Sequence, residues 1–282
     1  MEVLSDRKTL VDFVQRNKEM GKKIGFAPTM GALHAGHLSL YKIAKEENDL
    51  VISSIFVNPT QFNNQEDLIK YPRTVDKDIE LLRSTHNVDA VYIPSIEDIY
   101  PNGTESKKYD FDGLENEMEG SSRPGHFDGV GTVVEELFRQ VQPNNAYFGE
   151  KDYQQLLIIE KLVEKTKLPI NIHGVPIVRE ESGLALSSRN QRLTNEGREG
   201  AKIIYKVLQD VKNWLKTESI QDIKSRVTEI FDEIPGYELE YFLIADEKTL
   251  KETDTINNGA SYRAFIVVHV DHVRLIDNLK VV

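Results

Sequence analysis

The stretch FAPTMGALHAGHLSL (26–40) sets His34 and His37 three residues apart, with Gly31 and Gly36 beside them, in a chain with seven histidines in all. Four chemistries compete for the pair. A zinc-binding helix wants two histidines at i and i+4 with a glutamate between them; here the spacing is i, i+3 and no acid intervenes. GALHAGH has the G-x-x-x-x-G frame of a P-loop, but His37 stands where the phosphate-binding lysine belongs and Leu38 where the metal-binding hydroxyl belongs, which removes that loop's mechanism. Plain packing or capping is the third reading. The fourth is phosphate binding: a helix start offers free N–H groups and a positive dipole, and two imidazoles one turn apart both donate N–H to phosphoryl oxygens. Phosphoryl transfer needs such a donor array, because its catalysis is mostly positioning and charge stabilisation. The fourth reading fits the residue types best.

Two other stretches bear groups suited to a phosphorylated ligand. FGEKDYQQL (148–156) ends an apolar segment and opens a helix. Gly149 permits close backbone approach, Lys151 is a compact mobile cation, and Asp152 can accept ribose hydroxyls. Taken alone, this stretch reads more simply as a solvated, charged helix start. LALSSRN (184–190) gives Ser187, Ser188 and Arg189, two hydroxyls and a forked guanidinium, on a loop hinged at Gly183. That is a reasonable pyrophosphate clamp, with an ordinary serine-rich turn as its bland alternative.

These groups need elements to hold them. KIGFAP (23–28) is a short apolar strand ended by Pro28, GHLSLYKIAKEEND (36–49) an amphipathic helix, and LVISSIFV (50–57) a β-branched run of the kind buried on both faces of a parallel sheet. Upstream, a helix over 6–20 is expected, with Ser5 as N-cap and Gly21 as its stop. Downstream, helices at 74–87, 126–142 and 152–166 alternate with strands at 89–94, 145–149 and 170–178. The alternation predicts a Rossmann-like, doubly wound parallel sheet, with ligands at the C-terminal strand ends. From 196 to 234 two amphipathic helices follow without a strand, and 237–245 and 261–277 read as antiparallel strands. A second, smaller α+β domain is therefore expected, with domains at 1–178 and 179–282.

Composition excludes several classes. The formal charge is −11, so a general nucleic-acid surface is not expected, and an anionic substrate must be drawn in by a local cluster of donors. No run approaches the ~18 apolar residues of a membrane span, and MEVLSDRKTLVDFVQRNKEM lacks the apolar core of a signal peptide. With no cysteine, disulfides, thiolate metal sites and a cysteine nucleophile are out, in agreement with a cytoplasmic enzyme.

HAGH matches the H-x-G-H signature of the HIGH-type nucleotidylyltransferase and class I aminoacyl-tRNA synthetase superfamily. The wider set PTMGALHAGHLSL, SIFVNPTQF, YPRT, IYPNGTE, SRPGHFDGV, FGEKDYQQL and GLALSSRN, in this order across 26–190, resembles the pantothenate synthetase family; the C-terminal part adds only RLIDN (274–278).

The resemblance implies an ATP-dependent ligase that adenylates (R)-pantoate, releases pyrophosphate, and passes the acyl group to β-alanine with loss of AMP. Another HIGH-type nucleotidylyltransferase is the alternative. Implied catalytic residues are His34, His37 and Lys151. ATP is expected at Met30, Gly31, Ala32, Leu33, His34, Ala35, Gly36 and His37, at Gly149, Glu150, Lys151 and Asp152, and at Val178, Leu186, Ser187, Ser188 and Arg189. Pantoate falls to Gln61 and Gln155, with Asn58, Phe62, Met30 and Pro28 lining its pocket and Gln61 also meeting β-alanine. Thr60 departs from the methionine relatives often have there. Arg123 and His126 are given a supporting role near an anionic substrate. Mg²⁺ is expected to travel with ATP, with Asp76 and Asp78 either outer-shell partners or merely an exposed helix start, and no protein metal ligand is assigned. The second domain is expected to close over the phosphates about a joint at 179–190, and the family implies a homodimer.

Overall fold

The computed structural model describes residues 1–63 and 65–282, with residues 65 and 67 described by backbone only. The chain divides into two compact units, Met1–Pro176 and Ile177–Val282.

In the first unit the order is β1 (Glu2–Leu4), α1 (Arg7–Glu19), β2 (Ile24–Thr29), α2 (Ala35–Glu47) and β3 (Leu50–Ile55). There follow α3 (Gln65–Lys70), α4 (Val75–Thr85), β4 (Ala90–Tyr92), α5 (Ile96–Ile99) and α6 (Met118–Ser122). The unit ends with α7 (His126–Val141), β5 (Asn145–Gly149), α8 (Tyr153–Thr166) and β6 (Asn171–Val175). The six strands are all parallel, in the order β1-β4-β3-β2-β5-β6. From β2 the chain builds outward through β3 and β4, then returns to lay β5 and β6 on the other side. The reversal lies between β2 and β5, which is where open α/β sheets bind ligands.

Burial explains which strands were legible. All six residues of β3 are buried, as its unbroken apolar and small-residue run demands. One sheet face packs Ala27, Val51 and Val91 against Leu40, Tyr41 and Ala44 of α2 and Leu82 of α4. On the other, Phe26, Phe138 and Phe148 meet edge to face.

The structure departs from the sequence reading at several boundaries. Asp6, not Ser5, caps α1, its carboxylate accepting from Thr9 N at 2.8 Å. Pro28 lies inside β2 instead of ending it. Ile24 faces β5 through its carbonyl and Thr29 faces β3, so alternation turns Pro28 toward β5, beyond the last β2–β5 pair at Phe26; no ladder bond is lost. β6 stops at Val175, paired with Gly149, because β5 ends there and its chain turns away into a 3-10 turn at Glu150. β1, only three residues long, gives too short a pattern to read.

The second unit contains α9 (Asn195–Gly200), α10 (Lys202–Trp214), α11 (Ile220–Asp232), β7 (Tyr237–Asp246), β8 (Tyr262–Val270) and β9 (Val273–Lys280). The three strands form an antiparallel sheet in chain order. Val207, Leu208 and Val211 of α10 and Ile223, Val227 and Phe231 of α11 pack with Ala264, Ile266 and Val268 of β8. The expected strand run over 261–277 is a hairpin, turned at Asp271 and His272 with φ of +51° and +61°. Two consecutive left-handed residues are the tight-hairpin geometry, here without the usual glycine.

Candidate active site

The segment after β2 climbs through Met30 and makes a left-handed turn at Gly31 (φ +84°) and Ala32 (φ +51°) before α2 begins. The turn is held from below by Asp78, a residue of α4 only 3 % exposed. Its carboxylate accepts from Ala32 N at 3.0 Å, Leu33 N at 2.8 Å and the Thr74 hydroxyl at 3.1 Å. A Cβ on Gly31 would stand 3.0 Å from Asp78 Oδ2 and 3.1 Å from Ile55 Cγ2, so this position needs glycine for conformation and space. Asp78 is thus not an exposed helix start. It is a buried anchor for the turn that delivers the histidines, reaching across more than forty residues of sequence.

His34 is the N-cap of α2 and His37 its third residue, and the two close a reciprocal capping box. His34 Nδ1 accepts from Gly36 N at 3.1 Å, and His37 Nδ1 accepts from His34 N at 3.3 Å. Both Nδ1 atoms are acceptors, so in each neutral ring the proton sits on Nε2. The rings lie 4.1 Å apart at 44°. Burial, the Lys151 charge and, against them, Asp152 bring the His34 pKa down to about 4. Burial, then His34 and Lys151, bring His37 down to about 3. The pair is therefore two neutral rings at pH 7, each with one committed acceptor and one N–H donor. Ala35 and Gly36 complete the first turn of α2.

β5, hydrogen-bonded next to β2, ends at Gly149 and passes through a 3-10 turn, Glu150–Asp152, into α8. Lys151 has a side chain 19 % exposed, with Nζ 3.9 Å from Asp152 Oδ1. Its charge acts on both imidazoles, which places all three groups in one electrostatic neighbourhood.

Three of the residues expected around pantoate, Gln61, Asn58 and Met30, meet in a second cluster in this unit. Gln61 Nε2 donates to Met30 Sδ at 3.0 Å, and its Oε1 accepts from Asn58 Nδ2 at 3.2 Å. Asn58, 1 % exposed, also donates to Gly129 O at 3.1 Å and accepts from the Tyr100 hydroxyl at 2.5 Å. The Thr60 hydroxyl joins this network on Asn58 and Tyr100, so the departure at that position is absorbed by hydrogen bonds. His126 Nδ1 donates to Gln61 O at 2.8 Å, the opposite tautomer from the HAGH pair, and burial lowers its pKa. Arg123 lies 3.6 Å from Glu119. Gln154 is buried and fastens Leu114, Glu117 and Glu119, while Gln155, half-buried beside it, lies in the first turn of α8. Tyr100 and Gly129 were missed in the sequence: a Cβ on Gly129 would fall 2.6 Å from Thr60 O, so glycine there lets α7 press against the 3-10 turn Pro59–Gln61.

The remaining expected ATP residues belong to the second unit. The segment expected to be a joint is a hydrogen-bonded hairpin within it: Leu186 N donates to Val178 O at 3.0 Å and Glu180 N to Leu184 O at 2.9 Å. Ser187 then caps a 3-10 turn, Ser188–Arg192, accepting on Oγ from Arg189 N at 3.3 Å.

Known proteins resemble this chain along its whole length. The family model for pantoate-beta-alanine ligase matches residues 2–280. Pantothenate synthetase from Flavobacterium psychrophilum is 52% identical over 92% of both chains, and that from Christiangramia forsetii 50% identical over 99% of both. The crystal structure of pantothenate synthetase from Thermus thermophilus superposes with a TM-score of 0.91 at 40% identity, covering 100% of this chain and 99% of that one. A pantoate-beta-alanine ligase from Francisella tularensis, complexed with beta-gamma ATP and beta-alanine, gives 0.80 at 39% identity over 99% and 97%. With this match and these relatives, the chain belongs to the pantoate–β-alanine ligase family.

Proposed function

We propose that this ligase makes its amide in two steps on one nucleotide. A carboxylate resists an amine because its carbonyl is electron-rich and oxide is a hopeless leaving group. Adenylation removes both faults. A pantoate carboxylate oxygen attacks the α-phosphorus of ATP and pyrophosphate leaves. The β-alanine nitrogen then attacks the acyl carbon, loses a proton, and AMP leaves.

His34 and His37 point their Nε2–H donors at phosphoryl oxygens in this reading, and Lys151 adds the mobile positive charge that spreads over the transferring group. Asp152 takes the ribose hydroxyls. Gln61 and Gln155 bind the pantoate hydroxyls, and Met30 and Phe62 give an apolar wall for its methyl groups. The resemblance assigns Ser187, Ser188 and Arg189, together with Val178 and Leu186, to the nucleotide, the hydroxyls and guanidinium suiting its phosphates.

Mg²⁺ enters on the triphosphate. No protein ligand is assigned to it; bound with the nucleotide, keeping its waters, it would neutralise charge on the leaving pyrophosphate. The family resemblance further supports a homodimer. The cysteine-free composition suits the cytoplasm, and among the described residues no helix is long and apolar enough to cross a membrane.

One observation carries this reading: two neutral imidazoles, tautomer-locked by their own helix start, share the sheet's reversal point with Lys151. The test is mass spectrometry of a reaction with ATP, Mg²⁺, pantoate and β-alanine, each omitted in turn. AMP with pantothenate, appearing only in the full mixture, is the expected result. A stable nucleotide conjugate and no amide would transfer the site to nucleotidylyl transfer instead.

A further inference from the structure

RLIDN (274–278) is the one C-terminal motif that the phosphate site leaves without a task. It lies on β9, where Asp277 and Asn278 are buried. Asp277 meets Arg179 through two parallel hydrogen bonds, Nη1–Oδ2 at 2.6 Å and Nη2–Oδ1 at 2.9 Å, with side chains 4 % and 15 % exposed. Asp277 Oδ1 also accepts from Asn278 N at 2.8 Å, and the Asn278 amide oxygen accepts from Arg263 at 2.5 Å. The Arg179 guanidinium is covered by the Tyr205 ring at 3.7 Å, and Nη1 donates to Gly183 O at 3.1 Å. A Cβ on Gly183 would come within 2.6 Å of that ring. The hairpin 178–186 is therefore held from two sides, by Asp277 of β9 and by Tyr205 of α10.

Its orientation passes directly to the Ser-Ser-Arg turn. Arg179 is bridged to Ala185 across the hairpin. Ala185 O accepts from the buried Asn190 side chain at 3.0 Å, and Asn190 N donates to Ser187 O at 3.0 Å. So Asp277, Arg179, Ala185, Asn190 and Ser187 form one chain of contacts ending on the turn that bears Ser188 and Arg189. A buried ion pair is a poor investment for stability, since desolvation offsets most of its attraction; its best-supported use is to fix one geometry over others. The forked, two-point form adds angular definition that a single contact lacks.

We propose that Asp277 and Arg179 are positioning residues for the ATP-dependent step, holding the Ser187–Arg189 turn at the angle its phosphate ligand requires. The proposal rests on the reading of that turn as a phosphate clamp. A misplacement of about 1 Å remote from the chemistry can cost on the order of 10²-fold in rate.

The test compares Asp277→Asn, Arg179→Lys and Arg189→Ala, singly and with Arg189→Ala combined with each of the others, in the full-length enzyme. Thermal melts check that each variant folds. Arg179→Lys keeps the charge but loses the fork, so it carries the test alone if Asp277→Asn does not fold. The expected result is a fall in kcat/KM for ATP of about 10- to 10²-fold in both single variants, an unchanged KM for β-alanine, and little further loss when Arg189 is already removed. Wild-type ATP kinetics in folded Arg179→Lys, or losses that simply multiply with that of Arg189→Ala, would overturn it. If Arg189→Ala itself has wild-type ATP kinetics, the clamp reading falls and takes this proposal with it. An impaired Arg189→Ala beside unimpaired Asp277→Asn and Arg179→Lys sinks the positioning role alone.

Discussion

Asp78 holds the turn that leads into the histidine pair without being one of the proposed phosphate donors. Both its oxygens are committed to the turn at Ala32 and Leu33, so Asp78→Asn sets an amide N–H against a backbone N–H in a buried site. Loss of about 1–3 kcal/mol is expected in urea unfolding, together with slower adenylation; unchanged values in both would remove the anchor role. His37 has a separate signature in pH. Its folded pKa, about 3, lies below the ordinary 6.5, so the unfolded chain takes up protons first as pH falls. The group has little effect on stability at pH 7, where the folded ring is neutral and the unfolded one mostly so, and costs about 2 kcal/mol by pH 5. His37→Gln retains a side chain able to close the capping box and should flatten the acid limb of the stability profile between pH 6.5 and 4. An identical limb would show that His37 titrates normally. The histidine pair was legible because its types and spacing are local to one helix start. Asp78 was not, because its partners lie more than forty positions away and TVDKD has the look of any charged helix start.

Among the elements, α7 is the one that fixes the Gln61 cluster, through Gly129 and through His126 at its first turn. Gly129→Ala separates packing from propensity. An exposed helix would gain about 1 kcal/mol from alanine, whereas here the new methyl meets the Thr60 carbonyl. A lower melting temperature and a KM for pantoate raised about tenfold are expected; a higher melting temperature would mean that the 3-10 turn gives way freely. The strands from β2 to β5 were legible as apolar runs between helical segments, because burial on both faces writes itself into composition; β6, an edge strand of which only Val175 is buried, lacks that signal and was read from its place after a helix. The β8–β9 turn was not, since Asp271 and His272 adopt left-handed conformations that no glycine announces. Strand order was implied only in outline: alternation dictates a parallel sheet, but the place where β5 returns beside β2 is decided by tertiary packing.

On the scale of the whole molecule, a chain with a formal charge of −11 handles a polyanionic nucleotide, and its long-range field opposes binding. Local donors must overcome that repulsion. The sequence offered candidate donors and, through its resemblance, a ligand to propose for them; it could not show that the imidazoles are neutral and tautomer-locked, which depends on burial and on hydrogen bonds made only in the fold. The central claim is that His37 and Lys151 act on the same triphosphate during adenylation. Pantoate-dependent exchange of labelled pyrophosphate into ATP, with β-alanine absent, isolates that half-reaction in His37→Ala and Lys151→Ala. A loss of about 10²- to 10³-fold in each variant, with melting temperatures near that of the parent, is the predicted result, and near-parental exchange in both would contradict it.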